Sequence, residues 1–141
     1  GDRPEHLAGL AASLAAGGEC ARATQLMLRL DSLGYVHPRV ELARIRCLLR
    51  DLDVEGAYRR SLMLTDRHPE LSEAWMLLGD AAFQQGEFEV SERAADRVIA
   101  LDAGNAAAYA MRGRARIGQG KTVEGARDLE AAAMLGWPGA E

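Results

Sequence analysis

Residues 73–88 read EAWMLLGDAAFQQGEF, and this stretch decides the fold of the chain. Trp75, Leu78 and Phe83 are spaced like residues on one face of an α-helix, and Gly86 then interrupts the pattern. Because the connection after Gly86 is short, the stretch predicts two antiparallel helices that pack closely against each other. The second helix is predicted from apolar residues that resume the helical spacing, Ala94, Ala95, Val98, Ile99 and Leu101.

The same arrangement recurs along the chain with a period of 34 residues. Self-similarity at such a period is typical of repeat proteins, in which each unit is one small group of helices or strands. We expect small residues where the two helices of a unit cross, with Gly79 against Ser91 and Gly113 against Gly125. The period divides the chain without gaps into four units, 4–37, 38–71, 72–105 and 106–139.

The third unit resembles a tetratricopeptide repeat, whose pattern places Trp, Leu, Gly, Ala and Pro at set positions. The chain departs from that pattern with Ser91 for the small Ala and Ala103 for the terminal Pro. The resemblance extends over almost the whole chain and implies an all-α fold. It implies a right-handed α-solenoid of about four antiparallel helix-turn-helix repeats, in a single domain spanning 1–141. The residues that carry it in the third unit are Trp75, Leu78, Gly79, Gly86 and Phe88.

The composition argues against several functional classes. Hydrophobic residues make up 48% of the 141 residues and charged residues 27%, a balance typical of globular chains. The net charge of −4 argues against a nucleic-acid partner, because proteins that bind phosphate backbones usually carry a basic surplus. No apolar run approaches the roughly 18 residues of a membrane-spanning helix, so we expect no direct membrane insertion.

The source and the cellular context are only weakly indicated. Sixteen of the seventeen basic residues are Arg, which is typical of a GC-rich coding genome and favours a bacterium. The chain starts at Gly1 without Met or a signal peptide, so we expect a mature form or a piece of a larger protein. The compartment stays open between the bacterial cytoplasm and periplasm.

The motifs of the chain predict no catalysis, no cofactor and no metal site. Residues 118–122 look like the end of a phosphate-binding loop, but Ala115 stands where its first Gly belongs. We therefore interpret this segment as a turn between helices. His6, His37 and His68 fall at different positions of the repeat, so they are not expected to share a metal. The sequence thus predicts a protein that is not an enzyme.

Two cysteines are close enough in the repeat scheme to be neighbours. Cys20 lies at the start of one second helix, and Cys47 lies inside the next first helix. Buried free thiols are the commoner outcome in a helical core, so we expect these cysteines to be unpaired rather than joined in a disulfide.

The family resemblance also implies where a partner binds. The first helix of each unit lines a concave surface, and its second, fifth, ninth, twelfth and thirteenth residues face that surface. Arg46 and Arg114 flank Asp80 there, and Arg is suited to bidentate contacts with carboxylates. This predicts a protein or peptide partner with apolar anchors and acidic residues. An alternative is that both Arg residues form solvated bridges to Asp80 that contribute little. The candidate groove residues are Arg39, Leu42, Arg46, Leu49, Met76, Asp80, Phe83, Arg114 and Ile117.

The C-terminal end offers a second hypothesis. The last helix is expected to end near Leu135 and Gly136, and no capping helix follows, although a free solenoid end exposes an apolar face. We expect this end to be covered by more of the same protein or by another chain. A structural role through self-association, with Met134, Leu135 and Trp137 in the contact, is therefore the alternative function. Bacterial pilus, secretion and envelope assembly systems use this fold often, which is an analogy only.

Overall fold

The computed structural model describes residues 3–138, and this part of the chain consists of eight α-helices without β-strands. The fold is an all-α solenoid of four antiparallel helix pairs, which confirms the predicted fold class. The pairs are formed by consecutive helices, α1 with α2, α3 with α4, α5 with α6 and α7 with α8. The helices are α1 (Pro4–Ala16), α2 (Cys20–Ser32), α3 (Pro38–Arg50), α4 (Val54–Arg67), α5 (Ser72–Gln84), α6 (Phe88–Leu101), α7 (Ala106–Gly118) and α8 (Thr122–Met134).

The first helix of every pair begins at the residue where the 34-residue period places the start of a unit. Side-chain caps fix the starts of α3 and α7. Pro38 stands in the first turn of α3, where its missing N–H costs nothing, and the Nδ1 atom of His37 accepts a bond of 3.1 Å from the N–H of Arg39. The side chain of Asn105 caps α7 by accepting a hydrogen bond of 3.0 Å from the backbone N–H of Ala108.

A left-handed residue makes the turn inside each of the four pairs. Gly18, Gly86 and Gly120 have φ values of 85°, 79° and 85°, which glycine adopts without steric cost. Leu52 occupies the same place in the second pair with a φ of 64°. Its side chain is 80% exposed, so no packing offsets the strain of that conformation.

Small residues let the paired helices cross closely, as predicted. The hydroxyl of Ser91 donates 2.9 Å to the backbone carbonyl of Gly79 in the crossing of α5 and α6. At the crossing of α7 and α8, a Cβ added to Gly113 would lie 2.7 Å from the carbonyl oxygen of Gly125. Substitution of either glycine in that crossing would therefore push the two helices apart.

The first helices of successive pairs also contact one another, α1 with α3, α3 with α5 and α5 with α7. They therefore form the inner surface of the solenoid, and the second helices lie on its outer side. Two clusters of buried residues are centred on Met27 with Leu30 and on Ile45 with Leu64, and further buried residues such as Val98 and Ala108 lie in the last two pairs.

The structure joins Cys20 and Cys47 in a disulfide, so the prediction of free thiols is wrong. Cys20 is the first residue of α2, and Cys47 lies in the last part of α3. The packing of the first two pairs brings their Cα atoms within 5.5 Å, which is inside the range that a disulfide bridges. Both side chains are buried, at 6% and 3% exposed, so burial and bonding coincide at this site.

Candidate functional site

The inner surface contains a pocket between α5 and α7 with a volume of about 320 Å³. Its walls are mostly apolar, and two charged side chains, Asp80 and Arg114, stand among them. The rings of Phe83 and Phe88 lie beside each other at a centroid distance of 5.3 Å, which supports the end of α5. The residues that line the pocket are Met76, Leu77, Asp80, Phe83, Ala107, Met111, Arg114 and Trp137.

Four of the predicted groove residues meet in this pocket, namely Met76, Asp80, Phe83 and Arg114. Trp137 also lines it, although the sequence analysis placed this residue in the contact surface of the C-terminal end. The backbone N–H of Trp137 donates a hydrogen bond of 2.9 Å to the carbonyl oxygen of Ala132. Gly136, which precedes Trp137, has a φ of 94°. This turn directs the chain from the end of α8 back to the inner surface.

The repeat itself holds the signal that identifies Trp137 as a groove residue. Tyr35 stands three periods earlier in the sequence and also lies against an inner helix. It packs against the first core cluster, lines a cavity together with Ala8 and Gly9 of α1, and stacks on His37 with a centroid distance of 6.2 Å. An aromatic residue at this position of a unit therefore contacts the inner surface.

The other predicted groove residues lie elsewhere. Leu42 is only 6% exposed and belongs to the core cluster shared with α5, so it offers almost no surface to a ligand. Leu49 is half-buried against the same cluster. Arg39 lines a separate cavity between α1 and α3, and Ile117 lies against Gly125 of α8.

The charged residues of the inner surface do not form the alternative arrangement, in which both Arg46 and Arg114 bridge to Asp80. Arg46 pairs with Glu73 on the neighbouring helix. Asp80 accepts a hydrogen bond of 3.1 Å from the side chain of Gln84. Within residues 3–138, Arg114 forms no ion pair and is exposed. Arg114 is thus the cation at this pocket that is open to a carboxylate from outside.

A second group of charges, which the sequence analysis did not identify, joins α6, α7 and α8 on the outer side. Asp128 is 5% exposed and accepts two bonds from Arg112, of 2.9 and 3.1 Å, and one of 2.9 Å from Arg116. The hydrogen bonding that Arg112 donates to Asp128 is the largest of the effects that raise the pKa of Arg112, and burial opposes it. Pairing of this kind identifies a structural cluster in which each charge has a partner.

Glu92 completes the group. Burial raises the pKa of its carboxyl, but hydrogen bonds from Gln119, Arg116 and Lys121 outweigh burial and bring the pKa below its ordinary value. The carboxylate of Glu92 accepts hydrogen bonds of 2.7 Å from Gln119 and 3.2 Å from Lys121. Glu92 is therefore held as a carboxylate by three donors of α7 and the turn that follows it.

The motifs that the sequence analysis interpreted as structural take structural positions. Residues 118–122 form the turn between α7 and α8, where Gly120 has a positive φ. In the described range 3–138, no three or more His, Cys, Asp or Glu side chains come together as a group able to hold a metal ion. None of the helices in this range has the length and apolar composition needed to cross a bilayer.

Comparisons with known proteins agree with this architecture. A model of the tetratricopeptide repeat matches residues 42–106 and again residues 76–140. No curated protein sequence matches the chain significantly. Similar solved structures have low sequence identity, so they show the fold alone.

Three of these structures illustrate the likeness. A structure of MamA from Desulfovibrio magneticus RS-1, covering its residue 41 to the end, has a TM-score of 0.85 at 16% identity, over 96% of this chain and 77% of that chain. A structure of MamA MSR-1 has a TM-score of 0.81 at 15% identity, over 95% and 77%. A thermophilic tetratricopeptide protein of Thermus thermophilus, TTC0263, has a TM-score of 0.77 at 18% identity, over 95% and 75%. Since the repeat model spans well over half of the sequence, the chain belongs to the tetratricopeptide repeat family of protein-interaction scaffolds.

Proposed function

We propose that this scaffold binds a peptide or helix of a partner protein in the pocket between α5 and α7. The observation that carries the proposal is an apolar pocket of about 320 Å³ with one unpaired cation, Arg114, in its wall. A pocket of that volume is within the range of roughly 300–1,000 Å³ that is typical of binding sites. The ligand chemistry that fits is an apolar anchor side chain followed or preceded by a carboxylate.

Each wall residue has a distinct part in this proposal. Met76 has a flexible side chain that adapts to anchors of different shape, whereas Met111 is buried and offers little surface to a ligand. Phe83 and Trp137 supply rigid apolar area, and one buried anchor contributes roughly 1.5–3 kcal/mol to binding. Arg114 pairs with the carboxylate of the ligand. Arg46 is a weaker candidate for pairing with the ligand carboxylate, because Arg46 is already paired with Glu73.

The proposal is tested by affinity capture from a bacterial lysate with the wild-type chain and the variants Met76→Glu and Arg114→Glu as baits. Met63→Glu and Arg127→Glu serve as matched controls, because both side chains are exposed on second helices, away from the pocket. We expect one set of proteins to be lost with both groove variants and retained with both controls. Equal capture by all five baits would show that this pocket is not the binding surface.

We also propose the context of the scaffold and its lack of catalysis. The partner is assigned to a bacterial assembly or secretion system, on the Arg bias of the sequence and on the frequent use of this fold there. The scaffold is assigned no reaction of its own, since the carboxylates of the cluster between α6, α7 and α8 are held by cations and the walls of the inner pocket are mostly apolar. Turnover by the purified chain would contradict this assignment.

The C-terminal end favours a second candidate function, self-association. Val123, Met134 and Leu135 of the α8 region are 62%, 89% and 47% exposed, which leaves apolar surface at this end of the described array. Trp137 is not part of that surface because it lines the inner pocket. Light scattering of the wild type and of Met134→Glu tests for self-association through this end. A dimer that the variant abolishes would support the end contact, and a monomer in both would exclude it.

A further inference from the structure

The outer side of the solenoid contains a groove between α4 and α6 that is larger than the inner pocket. Its volume is about 490 Å³. Trp75, Leu78 and Ala94 form part of its floor, with Arg93 and Arg97 on the α6 side and Asp66 on the α4 side. The side chain of Trp75 is only half-buried and lines this groove.

The neighbouring outer grooves show why this one is open. The seventh residue of a unit is Arg44 in the second unit and Arg112 in the fourth, but Leu78 in the third. Arg44 binds Asp31 over 3.0 Å and lines two small cavities of about 190 and 170 Å³ between α2 and α4. Arg112 bridges Asp96 and Asp128 between α6 and α8. In both places a long cation occupies the space between two second helices.

The twenty-third residue of the unit adds to the same effect. It is Arg60 in the second unit, which binds Glu41 over 2.8 Å, and Asp128 in the fourth. In the third unit it is Ala94, which is 1% exposed. The third unit therefore has apolar residues of modest size where its neighbours have paired charges, and the groove between α4 and α6 stays unfilled.

The charges at the rim of this groove are left without acidic partners. Arg93 and Arg97 are exposed, and in the described residues 3–138 neither forms an ion pair. Arg97 lies over the ring of Trp75 at 5.4 Å, and the indole N–H of Trp75 donates 2.9 Å to the carbonyl of Pro69. The indole is thus fixed in place at the groove, with the guanidinium of Arg97 over its ring.

We infer that the groove between α4 and α6 is a second docking site, and that it takes an acidic segment of a protein partner with an apolar side chain. The carboxylates of that segment pair with Arg93 and Arg97, and the apolar side chain packs on Trp75 and Leu78. The segment thereby supplies the acidic groups that the other outer grooves obtain from their own helices. This site is separate from the inner pocket, so a partner could occupy both surfaces of the scaffold.

Charge favours a peptide over a nucleic acid as the occupant. Arg residues beside an aromatic ring also suit single-stranded nucleic acid. However, the chain carries a net charge of −4, and Asp66 stands on the opposite wall of the groove. A polyanion longer than the groove would meet this excess of negative charge along its length, whereas a short acidic segment would meet only Asp66, against Arg93 and Arg97.

The test is selection from a random dodecamer peptide library on the full chain, followed by affinity measurement of each selected peptide on the wild type and on Arg93→Glu/Arg97→Glu. We expect a class of selected peptides that is rich in Asp and Glu with an aromatic or aliphatic residue. Their affinity should be about tenfold or more weaker for the double variant and unchanged for Arg114→Glu, which is the matched control in the inner pocket. In a Trp137→Phe background, binding should change the fluorescence of Trp75.

Each other result contradicts the inference. Peptides that lose affinity in Arg114→Glu instead would place the acidic ligand in the inner pocket. Absence of any peptide class that depends on Arg93 and Arg97 would exclude the groove as a peptide site. Displacement of the selected peptides by a single-stranded oligonucleotide at lower concentration than by an acidic peptide would assign the groove to nucleic acid. Circular dichroism of each variant verifies that it is folded.

Discussion

Leu52 is a single residue that departs from the pattern of its own repeat. At the same place, the other three pairs have a glycine with positive φ, and Leu52 is forced into that conformation with a φ of 64°. A non-glycine residue in the left-handed region costs roughly 1–2 kcal/mol. Because the side chain is 80% exposed, it gains little from packing in return. The turn survives since the helices on either side determine it.

We therefore expect Leu52→Gly to stabilise the protein. The gain in the free energy of unfolding should be about 0.5–1 kcal/mol, because relief of the strain exceeds the entropy that glycine adds to the unfolded chain. Urea denaturation followed by circular dichroism measures it.

The matched control is Leu28→Gly, which removes a similarly exposed leucine from the interior of α2. That change should destabilise by about 1 kcal/mol, since glycine is unfavourable inside a helix. If both substitutions destabilise, the backbone at Leu52 is not strained.

At the level of elements, the helices α6, α7 and α8 are joined by charges as well as by small residues. Asp128 of α8 holds Arg112 and Arg116 of α7, and Arg116 reaches on to Glu92 of α6. Breaking such a partly buried network leaves charges without partners, which costs more than an exposed ion pair contributes. The register of these three helices is thus defined by charge pairing on the outer side.

This network predicts an acid-sensitive contribution to stability. The pKa of Glu92 is lower in the folded protein than its ordinary value, so the folded state favours the carboxylate. Its contribution is complete above the pKa of the unfolded chain, about 4.3, and is lost as the pH falls through the lower folded pKa. At pH 7, Glu92→Gln should lower the free energy of unfolding by about 1 kcal/mol.

The measurement is urea denaturation of the wild type and Glu92→Gln from pH 7 down to pH 3. The difference between the two should shrink below about pH 4.3. Glu124→Gln is the control, because Glu124 is exposed and has no ion pair in the described range. It should show no such loss. A constant difference for Glu92→Gln across this pH range would mean that its charge does not contribute.

On the scale of the whole molecule, one covalent bond distinguishes the first half from the second. Repeat arrays are held together by contacts between neighbouring units, so their ends can open separately. The disulfide between Cys20 and Cys47 joins the first and second pairs. The last two pairs are held together by non-covalent contacts. We infer that stability is unevenly distributed along the solenoid.

Reduction of the disulfide should therefore lower the stability of the first two pairs. The loss should be about 3 kcal/mol for a closed loop of this length. Thermal unfolding with and without a reductant measures it, and Cys20→Ala/Cys47→Ala should show no response to the reductant. Two thiols that react with a thiol reagent in the native, unreduced protein would show instead that the bond is not formed.

The sequence predicted the features that depend on local chemistry and on the period. The starts of the first helices and the crossings of Gly79 with Ser91 and Gly113 with Gly125 follow from residue type and spacing. Such features are repeated in each unit, so that one clear unit predicts the others.

The features that the sequence did not predict depend on how units are rotated against each other. Leu42 becomes buried because α5 packs over it, and Trp137 reaches the inner pocket because the turn after α8 folds back. The partner of Arg46 is Glu73 rather than Asp80 for the same reason. The disulfide depends on a distance of 5.5 Å between the Cα atoms of the two cysteines. The repeat spacing indicates only that these residues are neighbours.

The disulfide also gives the molecule a mechanical polarity. If the solenoid is pulled from its two termini, the chain enclosed by Cys20 and Cys47, 27 residues apart, cannot extend. The disulfide prevents roughly 90–95 Å of chain from extending, whereas the third and fourth pairs can unfold and extend fully. Under load, the segment enclosed by the disulfide would keep its length, whereas the third and fourth pairs would extend. A partner bound to the later pairs would then be released first.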